Sequence, residues 1–281
     1  MFERISNSWQ LVKSSAAVLA SDKELVVFPI LSAIGCLIVS IAFVVPAILA
    51  GLIESVMSDQ LGQIAGLVVL FLFYLVLYTV IIFANSALIG AATIRLRGGD
   101  PTVGDGFRIA FSHIGAILGY ALVSATVGLV LNQISQRGGQ LGRFVVSLVG
   151  LAWNVATFLA VPVLVLEDVG PIEAVKRSTG YLKKTWGEQI VGNFGIGTIF
   201  GLFFFFAILA GFIGIGLAVV SESIALIVIV ATLVVVVLVV LGILSSTLSG
   251  IYQAAVYQYA AEGKSEGYFS RDLVANAFRT K

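Results

Sequence analysis

Six stretches of this chain contain no charged residue: Leu25–Ile53, Gln60–Ile94, Ile114–Gln136, Phe144–Leu166, Gln189–Ser221 and Ser223–Ala261. Each exceeds the roughly 20 apolar residues that an α-helix needs to cross a bilayer. One Lys, Arg or Asp at mid-membrane costs about 2.5–3.5 kcal/mol on insertion, so six uninterrupted runs specify membrane helices rather than buried soluble ones. The expected fold class is all-α: a polytopic membrane protein with six transmembrane helices. Composition excludes the soluble alternative. Charged residues make up 11% of the chain and mean hydropathy is +1.08, where a soluble domain carries about a quarter charged residues.

The net charge of +1 conceals a strong asymmetry. Arg4, Lys13 and Lys23 precede the first span, and Arg95, Arg97 and Arg108 lie between the second and third. Lys176, Arg177, Lys183 and Lys184 lie between the fourth and fifth, and Lys264, Arg271, Arg279 and Lys281 follow the sixth. Only Arg137 and Arg143 fall on the opposite side, giving 14 cations against 2. The positive-inside rule therefore places both termini in the cytoplasm.

Each outward-going span is preceded by an amphipathic segment. Phe2, Ile5, Trp9, Val12, Ala16 and Leu19 form a first stripe, and Val103, Phe107, Ala110, Phe111 and Ile114 a second. Ile172, Val175, Thr179, Leu182 and Trp186 form a third, again at helical spacing. Basic on one face and aromatic on another, such helices belong in the membrane interface, and the alternative is a cytoplasmic helix packed on protein. Trp9, Lys13, Arg108, Lys176, Arg177, Lys183, Lys184 and Trp186 are the expected headgroup-level residues. Returning spans end at Gly99-Asp100-Pro101, Gly170-Pro171 and Gly263-Lys264, each a helix stop followed by a start. The pattern predicts three parallel repeats of interfacial helix plus hairpin, at about 1–98, 99–169 and 170–262, related by a pseudo-threefold axis. A C-terminal amphipathic helix is expected at about 268–279.

The run Val161–Ser178, with Glu167-Asp168 and Gly170-Pro171, stands beside Ser8-Trp9, Asp22-Lys23-Glu24-Leu25, Phe28-Pro29 and Arg97-Gly98-Gly99-Asp100-Pro101. Together these resemble an uncharacterised prokaryotic six-span family, a domain of unknown function. More distantly they are similar to the membrane region of some glycerophosphodiester phosphodiesterases. The resemblance implies the six-span, three-unit layout in the cytoplasmic membrane of a prokaryote. It carries over no catalytic residue.

Reactive constellations are scarce. His113 is the one histidine and Cys36 the one cysteine, so neither a metal ligand set nor a disulfide is expected, and no cofactor and no enzymatic activity. Glu167 and Asp168 read either as an inner gate or as ion-pair partners of the basic helix that follows. Counting back from the junction glycines, Asn85, Asn154 and Ser249 fall at similar depth near mid-membrane, as a polar ring or as separate interhelical hydrogen bonds. No charged residue lies at that depth, which argues against a carboxylate-driven pump. The expected function is passive small-solute transport or lipid handling. The alternative is a non-catalytic membrane-organising or partner-binding protein. Expected partners are membrane lipids and a cytoplasmic protein or a second copy, with no nucleic acid.

Overall fold

The computed structural model describes residues 2–51, 56, 60–186, 196–263 and 267–275, all helical or in turns, with no strand among them. A first helix, α1 (Phe2–Ser21), passes through a 3₁₀ turn (Lys23–Val26) into α2 (Val27–Leu49). There follow α3 (Gln60–Leu96), α4 (Val103–Ser112), α5 (Ile114–Arg137), α6 (Gly139–Ala156) and α7 (Ala160–Leu166). The chain continues as α8 (Pro171–Trp186), α9 (Ile196–Val220) and α10 (Ile224–Tyr257), then a π-helical turn (Gln258–Glu262) and α11 (Arg271–Ala275). Six helical segments are long and apolar enough to span a bilayer, α6 and α7 together making the fourth. This is a multi-pass membrane architecture.

Two helices are far longer than a bilayer requires. At 1.5 Å per residue, α3 with 37 residues and α10 with 34 run about 50–55 Å, against a hydrocarbon core of about 30 Å. The surplus sits at one end and organises the core. Residues Ile82–Thr93 of α3 and Thr247–Tyr257 of α10 are largely buried, whereas the opposite half of α3 is exposed or half-buried and that of α10 mostly exposed. Around the buried ends pack the short helices: α4 against α3, α8 against α5, α6 and α7, and α1 against α9 and α10. Three helices, α3, α7 and α10, also touch one another. Tight approach is achieved with small residues. A Cβ at Gly250 would collide with the Leu88 side chain, so α10 lies closer to α3 than any other residue there would permit.

Local chemistry sets the element boundaries. Thr102 caps α4 and forms a reciprocal capping box with Asp105, while the Val103 N–H donates to the Glu24 carboxylate 2.9 Å away, joining α4 to the start of α2. Asp22 caps the 3₁₀ turn through the Glu24 N–H at 3.2 Å. Three expectations need adjusting. The stop after α3 is carried by Gly98, at φ 84°, rather than Gly99. The helix before Gly170 ends earlier, at Leu166, and Asp168 takes the left-handed conformation (φ 51°). The C-terminal helix starts at Arg271, with Phe269 and Val274 buried against the core, and its expected part from 276 to 279 lies outside the described residues.

The fourth span is broken. Thr157–Leu159 turn between α6 and α7, and Pro162, one turn later, cannot return a hydrogen bond to Phe158. Helix α8 repairs the gap: Ser178 Oγ accepts the Leu159 N–H at 3.0 Å.

Candidate functional site

Helix α3 is flanked by α2 on one side and α5 on the other. Two cavities lie against α3, one beside the short helix α4 and one at the opposite end of α2 and α5. The cavity nearer the short helices measures about 370 Å³ and is lined by Leu31 and Ser32 of α2, Thr79, Val80, Phe83 and Ala84 of α3, Phe107 and Phe111 of α4, and Ile114. Its polar groups are two hydroxyls; the Thr79 hydroxyl donates to the Leu75 carbonyl at 2.7 Å. Phe111 is 63% exposed at the rim, stacked edge-on against Phe83 at 4.8 Å.

The second cavity, about 600 Å³, lies at the α5–α6 end. Its apolar wall comes from Phe43, Val44 and Ala47 of α2 and from Gly66, Leu67, Leu70 and Phe73 of α3, with Phe43 and Phe73 in edge contact at 5.7 Å. Its rim is polar: Gln63 of α3 and Gln133, Gln136 and Arg137 of α5. From the rim a polar file descends along the α3–α5 seam. Gln136 Nε2 donates to Asn132 Oδ1 at 2.6 Å, Asn132 Nδ2 stands 3.5 Å from the Tyr74 hydroxyl, and the Tyr74 and Tyr78 rings lie 6.1 Å apart. No described carboxylate pairs with Arg137. At the smaller cavity Gly35 lets α2 approach Val80, where an added Cβ would stand 2.8 Å from a Val80 methyl. The two cavities, together the trough, share α3 and α2 as walls; α4 closes the smaller and α5 the larger, which alone has a polar rim.

The residues singled out from sequence are distributed differently. Asn85 and Ser249 are half-buried on α3 and α10, and Asn154 stands exposed on α6, just before the break. Glu167 is a structural hub: it takes Arg177 Nη1 at 2.7 Å and the Tyr257 hydroxyl at 3.0 Å, joining α7, α8 and α10. Arg177 also holds Glu173 at 3.1 Å, and these two carboxylates keep its guanidinium above the usual range. The same carboxylate reinforces burial in raising the Tyr181 phenol. Asp168 is solvent-exposed, its carboxylate 3.6 Å from His113 Nε2. A second link at this end pairs Arg97, in the turn after α3, with Glu262.

Of the headgroup-level set, Trp9 is 42% exposed, contacts Phe203 of α9 edge-on and carries the Lys13 ammonium over its ring at 5.8 Å. Arg108 pairs with Asp105 at 3.3 Å. Lys176, Lys183 and Lys184 are exposed on α8, and the Trp186 side chain lies outside the described residues.

The trough residues Gln63, Asn132, Gln133 and Gln136 escaped the sequence reading because each stands near a span end, where polarity is unremarkable. Their signal was register: Asn132 with Gln136, and Gln133 with Arg137, are four residues apart and share one broad helix face.

No curated protein matches the chain significantly, so the distant likeness to glycerophosphodiester phosphodiesterase membrane regions gains no support. The resemblance to a six-span family of unknown function fares better: from residue 64, within α3, to residue 267 the sequence matches one family model, and the chain belongs to that family of unknown function, DUF6159.

Proposed function

We propose that this is a lipid-handling membrane protein that takes phospholipid from the bilayer into the trough between α2, α3 and α5. The observation that carries the reading is the pair of cavities along α3, about 370 and 600 Å³, apolar in lining and polar at one rim. Volumes of this order suit small amphiphiles. Apart from Phe107 and Phe111 of α4, their walls are helices long and apolar enough to span a bilayer, so the natural occupant arrives from the membrane. Passage of small solutes draws less support, because Asn154 stands exposed on α6 while Asn85 and Ser249 are half-buried elsewhere.

In this reading the chain consists of three units, about 1–98, 99–169 and 170–262, each an interfacial helix plus a hairpin. The packing supports it: α4 sits on the spans of the first unit, α8 on those of the second, and α1 closes the circle on the third. The 14-to-2 partition of cations supports cytoplasmic termini, and the setting we propose is the cytoplasmic membrane of a prokaryote. One observation favours a second, compatible role. Lys176, Lys183 and Lys184 are exposed on α8 without a described carboxylate partner, a surface suited to anionic headgroups or to a cytoplasmic protein.

The test is photocrosslinking. Reconstituted protein is irradiated with a phospholipid bearing a photoactivatable acyl chain, and the adducts are mapped. Adducts concentrated on residues 43–47, 66–73 and 79–84 are expected. Adducts spread evenly over lipid-facing residues such as Phe212 and Leu233 would overturn the reading.

A further inference from the structure

We infer that the larger cavity, between α2, α3 and α5, is a headgroup site selective for anionic phospholipid, with Arg137 as the cation that favours a net-negative headgroup over one whose phosphate is balanced by an ammonium. The inference rests on the proposal that the trough holds lipid and adds the class of lipid and the group that selects it.

Three observations converge. First, Arg137 is one of only two cations on its side of the chain, and it lines the rim of the larger of the two cavities rather than an open loop. No described carboxylate neutralises it. Second, Gln63, Gln133 and Gln136 surround it with amide donors and acceptors on the same rim. A guanidinium with flanking amides is donor-rich and fits the oxygens of a phosphodiester. Third, the wall behind this rim is apolar, with Phe43 and Phe73 in edge contact. A free phosphate would leave that wall exposed to water, whereas an acyl chain would cover it at about 0.8 kcal/mol per buried CH₂. Polar rim and apolar wall together fit one molecule that is anionic at one end and aliphatic at the other. The file through Gln136, Asn132 and Tyr74 gives the headgroup further partners as it descends along α5.

The experiment uses the full chain with Trp9, Trp153 and Trp186 replaced by Phe and a single reporter, Phe73→Trp, in the cavity wall. A second reporter, Phe206→Trp, on an exposed face of α9, supplies the reference. Each protein is reconstituted with brominated phosphatidylglycerol or brominated phosphatidylcholine, whose bromines quench a neighbouring tryptophan. At position 73 phosphatidylglycerol should associate about fivefold more strongly than phosphatidylcholine, the preference expected of one cation at headgroup level. Position 206 should show no such preference. Arg137→Gln should remove the preference at 73 while quenching by both lipids there stays above that at position 206.

Equal association of both lipids at position 73, still above the reference, would overturn the anion site and leave lipid binding standing. Quenching at 73 no stronger than at 206 for either lipid would overturn both. Should Phe73→Trp fail to fold, Phe43→Trp on the facing wall gives the same readout.

Discussion

Ser178 on α8 accepts the backbone N–H of Leu159 at 3.0 Å, and both residues are fully buried. A membrane interior offers no water to satisfy a broken helix, so non-helical backbone survives there only where protein supplies the partner. Here an amphipathic helix performs that service for a transmembrane one. Ser178→Ala should therefore leave a buried N–H orphaned and destabilise the protein by about 1–3 kcal/mol. Ser178→Thr, which retains the hydroxyl, should lose less. Thermal unfolding in mild detergent measures the difference, and an unchanged midpoint for Ser178→Ala would show that the break is held by other contacts.

Gly250 and Leu88 fix the spacing of the two long helices. The side chain a Cβ would strike is fully buried and has no room to swing aside. Gly250→Ala should cost about 1–3 kcal/mol by overpacking, and Leu88→Ala about 2–5 kcal/mol by leaving a cavity. The double variant should cost less than the sum by more than about 0.5 kcal/mol, since each change relieves the fault of the other. Strict additivity in the same unfolding assay would mean that α3 and α10 do not depend on this contact.

The six spans were legible because insertion into hydrocarbon penalises each charge heavily, and that penalty is written in uninterrupted runs. The short helices were legible as helices, and their faces only in part. The stripes through Trp9, Phe111 and Ile172 read as faces for the membrane interface, with packing on protein as the alternative; these three residues are 42%, 63% and 57% exposed, while Val12, Ala110 and Leu182 of the same stripes are buried. The buried positions are Ser8, Leu11, Val12, Ser15 and Val18 on α1, and Ala174, Ser178 and Leu182 on α8. Against lipid, large apolar side chains lose nothing by facing outward, while small residues let backbones approach. The trough was hidden for a different reason: it is made by three helices distant in sequence, and no single segment carries its signature.

Two aspartates outside the spans titrate in opposite senses. Burial holds the Asp22 carboxyl above its usual range, against the opposing pull of the Glu24 N–H and of Arg95, with Glu24 and Asp100 adding to the rise. Its Oδ2 is buried with no hydrogen-bond partner. A raised acid is a cost present when it is ionised, so its burden grows as pH rises through the folded value. Asp22→Asn should stabilise the protein at neutral pH, and the gap should close on acidification. Asp105 is the reverse case. The Thr102 hydroxyl and N–H hold it below the usual carboxylate range, so its stabilising contribution is present above the unfolded value near 4 and is lost as pH falls through the lowered folded value. Asp105→Asn should destabilise at neutral pH, with the gap closing in acid. Unfolding midpoints of both variants across pH 3–7 check the signs. Parallel behaviour of the two would contradict the assignment.

Water access along the bundle separates lipid handling from solute passage. With Cys36 replaced by alanine, single cysteines at 63 and 133 should react with a small water-soluble thiol reagent, because both line the polar rim of the larger cavity. Cysteines at 85 and 249 should be protected, since Asn85 and Ser249 are half-buried on α3 and α10, whose facing residues pack closely at Leu88 and Gly250. Position 154 is the discriminating one. Asn154 is exposed on α6, so in a bilayer a cysteine there should face hydrocarbon and react with a lipid-soluble maleimide but not with the water-soluble reagent. If instead 85, 154 and 249 all react readily from water, a wet path reaches mid-membrane through three separate helices. The α2–α3–α5 trough would then be a side feature, and passage of small solutes would replace lipid handling as the function these residues serve.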